Sequence, residues 1–533
     1  MTVTPQPPGI AASVARIAGA RPDTTALVYE GDTTTFAELE RRTAEFAAGL
    51  AAAGLKRGDR IAYLGLNSAT LLETLVAATR IGAVFVPVNF RLAAPEVEVV
   101  LADAGPRVLV VEEGHRELVE QIVSRLPTPV RVLVDTDPHV PAADPAPGWE
   151  RLSRVADSGA GIPAPATVGS DELAVLMYTS GTTGRPKGVV LTHGNLWWNQ
   201  LNVASAVGHV PGETTYAAAP MFHIGGLNAL TLGTLSLGGT VVVRRSFDPA
   251  AALTDLTGYR INTVFAVPAM YAAIARQPGF ADADLSELRA PVVAGAPVPP
   301  SLVLEYEKAG VRLQQAWGLT ETAPFATFLP PHLSSKKPAS AGTAMPYGQV
   351  RLVDPATGTP VTGPGAAGEV EVRGPNVTPG YWHNEEATRA AFRDGWFRSG
   401  DIGHVDADGD LFIVDRLKDM VISGGENVYP AEVERVLVEH PRVTDAAVVG
   451  RPDPDWGERV VAVVSCTGSG PEPTLEEVRE HCGHSLARYK LPRSLLVTDA
   501  VPRNASGKLD KRHLREWVSR QEAARDRQAT GAG

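Results

Sequence analysis

The run Glu172-Leu173-Ala174-Val175-Leu176-Met177-Tyr178 leads straight into Thr179-Ser180-Gly181-Thr182-Thr183-Gly184-Arg185-Pro186-Lys187-Gly188. The apolar half reads as a strand and the second half as a loop. Glycines let backbone N–H groups approach an anion closely, and hydroxyls add donors that rotate to suit it. Lys187 adds a compact positive charge. The segment is therefore a candidate polyphosphate cradle, with Thr179, Ser180, Gly181, Thr182, Thr183, Gly184 and Lys187 as its binding residues. It is not a Walker loop, which needs Gly, four residues, then Gly-Lys-Ser/Thr. A Gly/Ser/Thr-rich surface turn is the plainer alternative, and the lysine set among so many hydroxyls weighs against it.

On either side of this loop, strand-like and helix-like patterns alternate. Thr35-Phe36-Ala37-Glu38 has capping-box spacing, and Phe36, Leu39, Phe46 and Leu50 then mark one helical face. Ile61-Ala62-Tyr63-Leu64, a helical stretch over 69–80 and Val84-Phe85-Val86-Pro87-Val88 follow, and the alternation continues through 107–111, 240–243 and 263–267. Strands separated by helices of this length predict βαβ units, with parallel sheets covered on both faces. The Pro-, Ala-, Gly- and Asp-rich stretch 138–165 is expected to be an irregular surface connection. After about residue 342 the texture changes to strands with short Gly/Asp turns, at 350–353, 368–373 and 411–414. A further boundary is expected near Asp415-Arg416-Leu417-Lys418-Asp419. Beyond it lie a helix beginning near Pro430, strands over 446–449 and 460–465, and a helix over 475–486. The predicted fold class is α/β. A large N-terminal body over 1–417 is built from stacked, mostly parallel sheets with helices, including a β-rich subdomain over about 342–417. A small mobile α+β domain occupies 418–533. The tail from 521 is expected to fray, and neither internal repeats nor coiled-coil heptads are present.

Bulk properties narrow the function. With 533 residues, 44% hydrophobic and 20% charged, the chain is too long for one core. Sixty acidic against 49 basic residues give a net charge of −11, and no concentrated basic stripe argues for nucleic acid as a partner. Two cysteines make no disulfide framework, so a reducing cytoplasm is the expected setting. The opening residues lack a signal-peptide profile. The weakly polar stretch 227–243 is interrupted by glycines and threonines, so it reads as core rather than as a membrane span. Integral membrane association is not expected, and a homodimer is compatible with the sequence.

The loop after Tyr178 resembles the signature of the adenylate-forming, AMP-binding enzymes: acyl-CoA synthetases, peptide-synthetase adenylation domains and beetle luciferases. Further segments in the expected order to Lys508 extend the resemblance over nearly the whole chain. Gln315-Ala316-Trp317-Gly318-Leu319-Thr320-Glu321 is similar to the family's aromatic-Gly-x-Thr-Glu segment. The resemblance implies that Gln315, Ala316, Trp317 and Gly318 flank the adenine, that Thr320 bonds the α-phosphate and that Glu321 coordinates Mg2+. Phe397-Arg398-Ser399-Gly400-Asp401 matches a segment whose aspartate accepts from the ribose hydroxyls, with Arg416 donating to the same sugar. Pro502-Arg503-Asn504-Ala505-Ser506-Gly507-Lys508 ends in a lysine expected to bridge the acyl carboxylate and the phosphate. Lys418 stands at the family's hinge position. Met221-Phe222-His223-Ile224-Gly225-Gly226 resembles the acyl-site segment, with His223 as an orienting group and Ile224, Gly225 and Gly226 beside it. Gly295 and Ala296 would line the nucleotide and acyl sites. Taken one at a time, several of these have plainer readings. Thr320-Glu321 could be a capping pair, Asp401 a turn residue, His223 a structural donor, and Lys418 and Lys508 solvated lysines.

Ser423-Gly424-Gly425-Glu426-Asn427 resembles acyl-CoA synthetases more than the other branches, and its glycines would let a pantetheine arm pass. The implied activity is an ATP-dependent acid–CoA ligase, with ATP, Mg2+ and CoA. The segments 224–243, 261–275 and 290–304, expected to line the acyl site, contain no charge. An unpaired second carboxylate would be costly there, so the expected substrate is a medium- or long-chain or bulky hydrophobic carboxylic acid. Two alternatives stay open: an acyl-AMP ligase that loads a carrier-protein pantetheine, and a nucleotide-binding relative without turnover.

Overall fold

The computed structural model describes residues 9–135, 139, 144–156, 161–180, 186–423, 426–453, 456–466, 471–504 and 508–530. Its packing divides the chain into two compact units, Met1–Val350 with Val372–Arg398, and Arg351–Glu371 with Ser399–Gly533.

The first unit holds two large sheets. In the seven-stranded sheet, Arg60–Leu64 sits between Val84–Val88 and Val108–Glu112, and all three run parallel. Leu173–Ser180 lies parallel to Val84–Val88, and Pro186–Thr192 returns antiparallel to it at the sheet's edge. A nine-stranded sheet is parallel through its centre, where Thr214–Ala217, Thr240–Val243, Thr263–Ala266, Ala290–Val293 and Gln314–Gly318 follow that pattern. Strands buried on both faces need continuous apolar runs, and Val84–Val88 and Val108–Glu112 are buried at every position. The predicted capping box is present. Glu38 N donates to Thr35 Oγ1 at 3.2 Å and Thr35 N to Glu38 Oε2 at 2.8 Å, opening the helix Phe36–Ala52. Phe36, Leu39, Phe46 and Leu50 all lie in the core.

One local expectation changes and another holds. The stretch 138–165 is not irregular throughout, because Glu150–Arg151 adds an edge strand beside Arg131–Asp135 and Leu152–Ala156 forms a short helix. Composition pointed to loop there, but tertiary pairing of a two-residue strand leaves no periodicity to read. The stretch 227–243 is core, as expected. It splits into parts of two short helices and a strand, and no described helix is long and apolar enough to cross a membrane.

The expected β-rich stretch supplies Gln349–Val353, Gly368–Arg373, Phe392–Arg393, Trp396–Val405 and Leu411–Arg416, which form a five-stranded sheet. Most of these residues pack in the second unit, so division by packing falls earlier than a boundary at 417/418. The second unit also holds a sheet of Val421–Ser423, Glu426–Val428, Val443–Asp453, Gly457–Cys466 and Ser494–Val497. Helices Pro430–Leu437, Leu475–Gly483 and Lys511–Thr530 accompany it. Pro430 occupies the first helical turn, where its missing N–H costs nothing, and Val433, Val436 and Leu437 turn into the core.

Candidate active site

The phosphate-loop segment is the mouth of a β-hairpin. Thr179 is the register partner of Lys187, and Ser180 that of Pro186. Gly181, Thr182, Thr183 and Gly184 lie outside the described residues. Below the mouth, the Tyr178 hydroxyl donates to Asp103 Oδ2 at 2.5 Å, fixing the strand's end.

A segment absent from the sequence reading holds this hairpin to the rest of the site. Residues 378–382 run beside Pro186–Thr192: Trp382 N donates to Gly188 O at 2.7 Å, Val190 N to Gly380 O at 3.1 Å, and Thr378 Oγ1 to Val190 O at 2.6 Å. On its other side the segment grips the Thr-Glu turn. Thr378 N donates to Glu321 O at 2.8 Å, and the Tyr381 hydroxyl to Glu321 Oε1 at 2.8 Å. The Tyr381 ring lies 5.2 Å from Lys187 Nζ, within cation–π range. Burial, followed by the Glu321 charge and the hydrogen bond to it, pushes the Tyr381 phenol far above its ordinary pKa, so it stays a proton donor.

Thr320 and Glu321 begin a 3-10 turn after the strand Gln314–Gly318, both half-buried. The turn is braced by buried asparagines. Asn199 Oδ1 accepts from Phe325 N at 3.2 Å while its Nδ2 donates to Asn228 O at 2.8 Å. Asn228 Nδ2 donates to Ala323 O at 2.7 Å, and Asn376 Nδ2 to Thr322 O at 2.6 Å. A Cβ on Gly318 would stand 1.9 Å from Pro324 O, so only glycine lets the chain double back here. Trp317 and Gly318 are half-buried and Ala316 is buried. Gln315 turns its side chain away, donating to Pro338 O at 2.9 Å and Ser340 O at 2.7 Å, so its backbone is what it can offer a ligand.

The residues expected at the acyl site have mostly apolar neighbours. His223 is the residue before the short helix Ile224–Asn228, and its ring centroid lies 4.3 Å from that of Phe222. Ile224 and Gly226 are buried and Gly225 half-buried. A Cβ on Gly225 would fall 2.5 Å from the Phe265 ring, so the glycine admits the aromatic edge-on. Gly295 and Ala296 are exposed, with Val267 Cγ1 lying 3.4 Å from where a Gly295 Cβ would be. Phe265 and Val267 lie in a segment that the sequence marked as a strand and as uncharged, without singling out either residue.

In the second unit Asp401 and Arg416 are register partners across a hairpin, with Nε 3.0 Å from Oδ1. Ser399 Oγ donates to Val370 O at 2.6 Å and accepts from Asp401 N at 3.0 Å, holding the buried aspartate in place. Asp415 turns inward to receive Ala431 N at 2.6 Å, capping the helix Pro430–Leu437, and burial raises its pKa. Lys418 is exposed in the turn Leu417–Asp419, where Arg515 holds Asp419 at 2.9 Å. Ser423 is buried, and its hydroxyl has no partner among the described residues. Gly424 and Gly425 lie outside them. Lys508 is exposed, its N–H donating to Asn504 Oδ1 at 3.1 Å.

The donors fit the ligands that the resemblance implies. With Tyr381 on Oε1, Glu321 keeps its Oε2 for a hard cation, and Mg2+ takes oxygen ligands. The hydroxyl of Thr320 takes no protein partner among the described residues, leaving it for a phosphate oxygen.

Residues 14–382 match the AMP-binding enzyme family and residues 432–508 the AMP-binding enzyme C-terminal domain, so the chain belongs to the AMP-binding enzymes. It is 45% identical over 507 residues to a feruloyl-CoA synthase of an Amycolatopsis species, covering 95% of this chain and 98% of that one. It is 39% identical over 513 residues to an indoleacetate–CoA ligase of Aromatoleum aromaticum, covering 95% and 97%. The o-succinylbenzoate CoA synthetase of Bacillus subtilis, solved with its acyl-adenylate intermediate, superposes with a TM-score of 0.84 at 32% identity over 96% and 98% of the chains. The same enzyme with ATP and a magnesium ion gives 0.80 at 31% identity over 93% and 98%. The chain is thus an acid–thiol ligase of the acyl-CoA synthetase branch. It joins a carboxylic acid to CoA through an acyl-adenylate, using ATP and Mg2+.

Proposed function

We propose that the acid is bulky and hydrophobic, and specifically an aryl-substituted one such as an arylpropenoic acid. The observation that carries this is the chemistry of the segments expected to line the acyl site: 224–243, 261–275 and 290–304 contain no charge, and within them the Phe265 ring packs its edge against Gly225. Planar acids slide against such a surface without needing a cation, whereas a second carboxylate would be left unpaired. The 45% identity to a feruloyl-CoA synthase supports the same choice over a long unbranched chain.

In this reading a carboxylate oxygen attacks the α-phosphorus and the α–β bridging bond breaks, releasing pyrophosphate. The CoA sulfur then attacks the acyl carbon, its proton leaves, and AMP departs. Both partners of the first step are anions, so the site must hold and neutralise them together. Lys187 and the hairpin mouth take the phosphates, Thr320 the α-phosphate, and Asp401 with Arg416 the ribose. His223 orients the acid. Mg2+, held by Glu321, supplies charge neutralisation on the phosphates. Lys508 serves the first step only, carried by a C-terminal domain, 418–533, that rotates about Lys418. Ser423, Gly424 and Gly425 then take the pantetheine arm. The two cysteines, both free, suit a reducing cytoplasm.

A pyrophosphate-release screen tests the substrate. Ferulic, coumaric and arylacetic acids should exceed fatty acids and dicarboxylic acids in kcat/KM. A fatty, dicarboxylic or short aliphatic acid as best substrate would contradict the reading.

A further inference from the structure

We infer that Tyr381 is a positioning residue for adenylation, one side chain that sets both the metal-binding carboxylate and the phosphate-binding lysine. The inference deepens the roles given above to Glu321 and Lys187 and rests on them.

Three observations carry it. The Tyr381 hydroxyl donates to Glu321 Oε1 at 2.8 Å, which fixes the carboxylate's rotation and leaves Oε2 for a cation. Its ring face lies 5.2 Å from Lys187 Nζ, so the same residue attracts the ammonium electrostatically. Its backbone is clamped: Tyr381 bridges antiparallel to Val189, and its N–H donates to Thr388 Oγ1 at 3.0 Å. Lys187 and Glu321 come from segments more than a hundred residues apart, and Tyr381 touches both. A carboxylate that must hold a metal while a nearby lysine holds the phosphates is best kept from pairing with that lysine. A phenol that donates to the carboxylate and presents its ring to the ammonium engages each of them without adding charge.

The test uses the full chain. Tyr381→Phe keeps the ring and removes the hydroxyl. The Mg2+ concentration for half-maximal pyrophosphate exchange should rise about tenfold, as for other residues that orient a metal ligand. Mn2+ affinity, read from its electron paramagnetic resonance with a non-hydrolysable ATP analogue, should fall by a similar factor. The KM for the acid should not move. Tyr381→Leu should in addition raise the KM for ATP at saturating metal. In a Glu321→Gln background, Tyr381→Phe should add nothing. Unchanged Mg2+ and Mn2+ dependence in Tyr381→Phe, beside a clear shift in Glu321→Gln, would overturn the inference while leaving the ligase reading intact. No shift in Glu321→Gln itself would overturn the metal role on which it rests. Should the variants not fold, 3-fluorotyrosine at position 381 keeps the protein intact. Its fluorine resonance should move when Mg2+ joins the nucleotide-bound enzyme, and a resonance indifferent to Mg2+ would count against the inference.

Discussion

His193, the first residue of the helix His193–Ala206, shows how a single buried group ties stability to pH. Its N–H donates to Glu172 O at 2.9 Å, and burial lowers its pKa to about 4, against the opposing charge of Glu172. The unfolded chain protonates the same ring near its ordinary value of about 6.5, so between these values the unfolded state binds more protons. Stability should therefore be full above pH 6.5 and fall as the pH drops toward 4, by on the order of 2–3 kcal/mol from this group. Urea unfolding across that range should show the decline, and His193→Gln should make it shallower, the buried His209 adding a decline of its own over the same range. An equally steep decline in the variant would move the cause elsewhere. None of this could be read in the sequence, where a histidine beside a hairpin strand carries no sign of its depth. His223 could be singled out from the sequence because its neighbours Phe222, Gly225 and Gly226 set it in an order that resembles the family's acyl-site segment. Tyr381 was not, because its importance comes from two contacts with residues distant in the chain.

Along the helix His193–Ala206, the buried Asn195, Asn199 and Asn202 recur at helical spacing, where a core-facing helix would ordinarily be apolar. Each asparagine answers backbone groups of irregular segments that sheet and helix ladders cannot reach. Asn195 Nδ2 donates to Pro375 O at 3.0 Å and to Val377 O at 2.8 Å, Asn199 holds Phe325 N, and Asn202 Oδ1 accepts from Tyr347 N at 2.9 Å. The helix is thus a scaffold for the Thr320–Glu321 turn and for the segment that carries Tyr381. Asn199→Leu would strand two buried backbone groups, a cost of about 2–4 kcal/mol. Chemical denaturation should show that loss together with a fall in pyrophosphate exchange, and an unchanged midpoint would mean that water or a shifted chain replaces the bonds. The strands and the capping box were legible because period and spacing are local properties. This scaffold was hidden, since three asparagines on a helix read as surface until their partners are known.

At the scale of the whole molecule, the α/β architecture and the order of its motifs could be read from the chain. The place where packing divides it, within the five-stranded sheet rather than at Lys418, could not. Packing and motion need not share a boundary, because a hinge is a residue that absorbs rotation and not a gap between cores. In the proposed scheme one chain runs two chemically distinct steps and needs its C-terminal lysine only for the first. Pyrophosphate exchange and thioester formation from supplied acyl-adenylate should therefore be measured side by side in the wild-type protein and in Lys508→Ala. The substitution should lower the first by about a hundredfold or more, as loss of a charge acting on the transition state does, and leave the second within a fewfold. Equal loss of both half-reactions would contradict it.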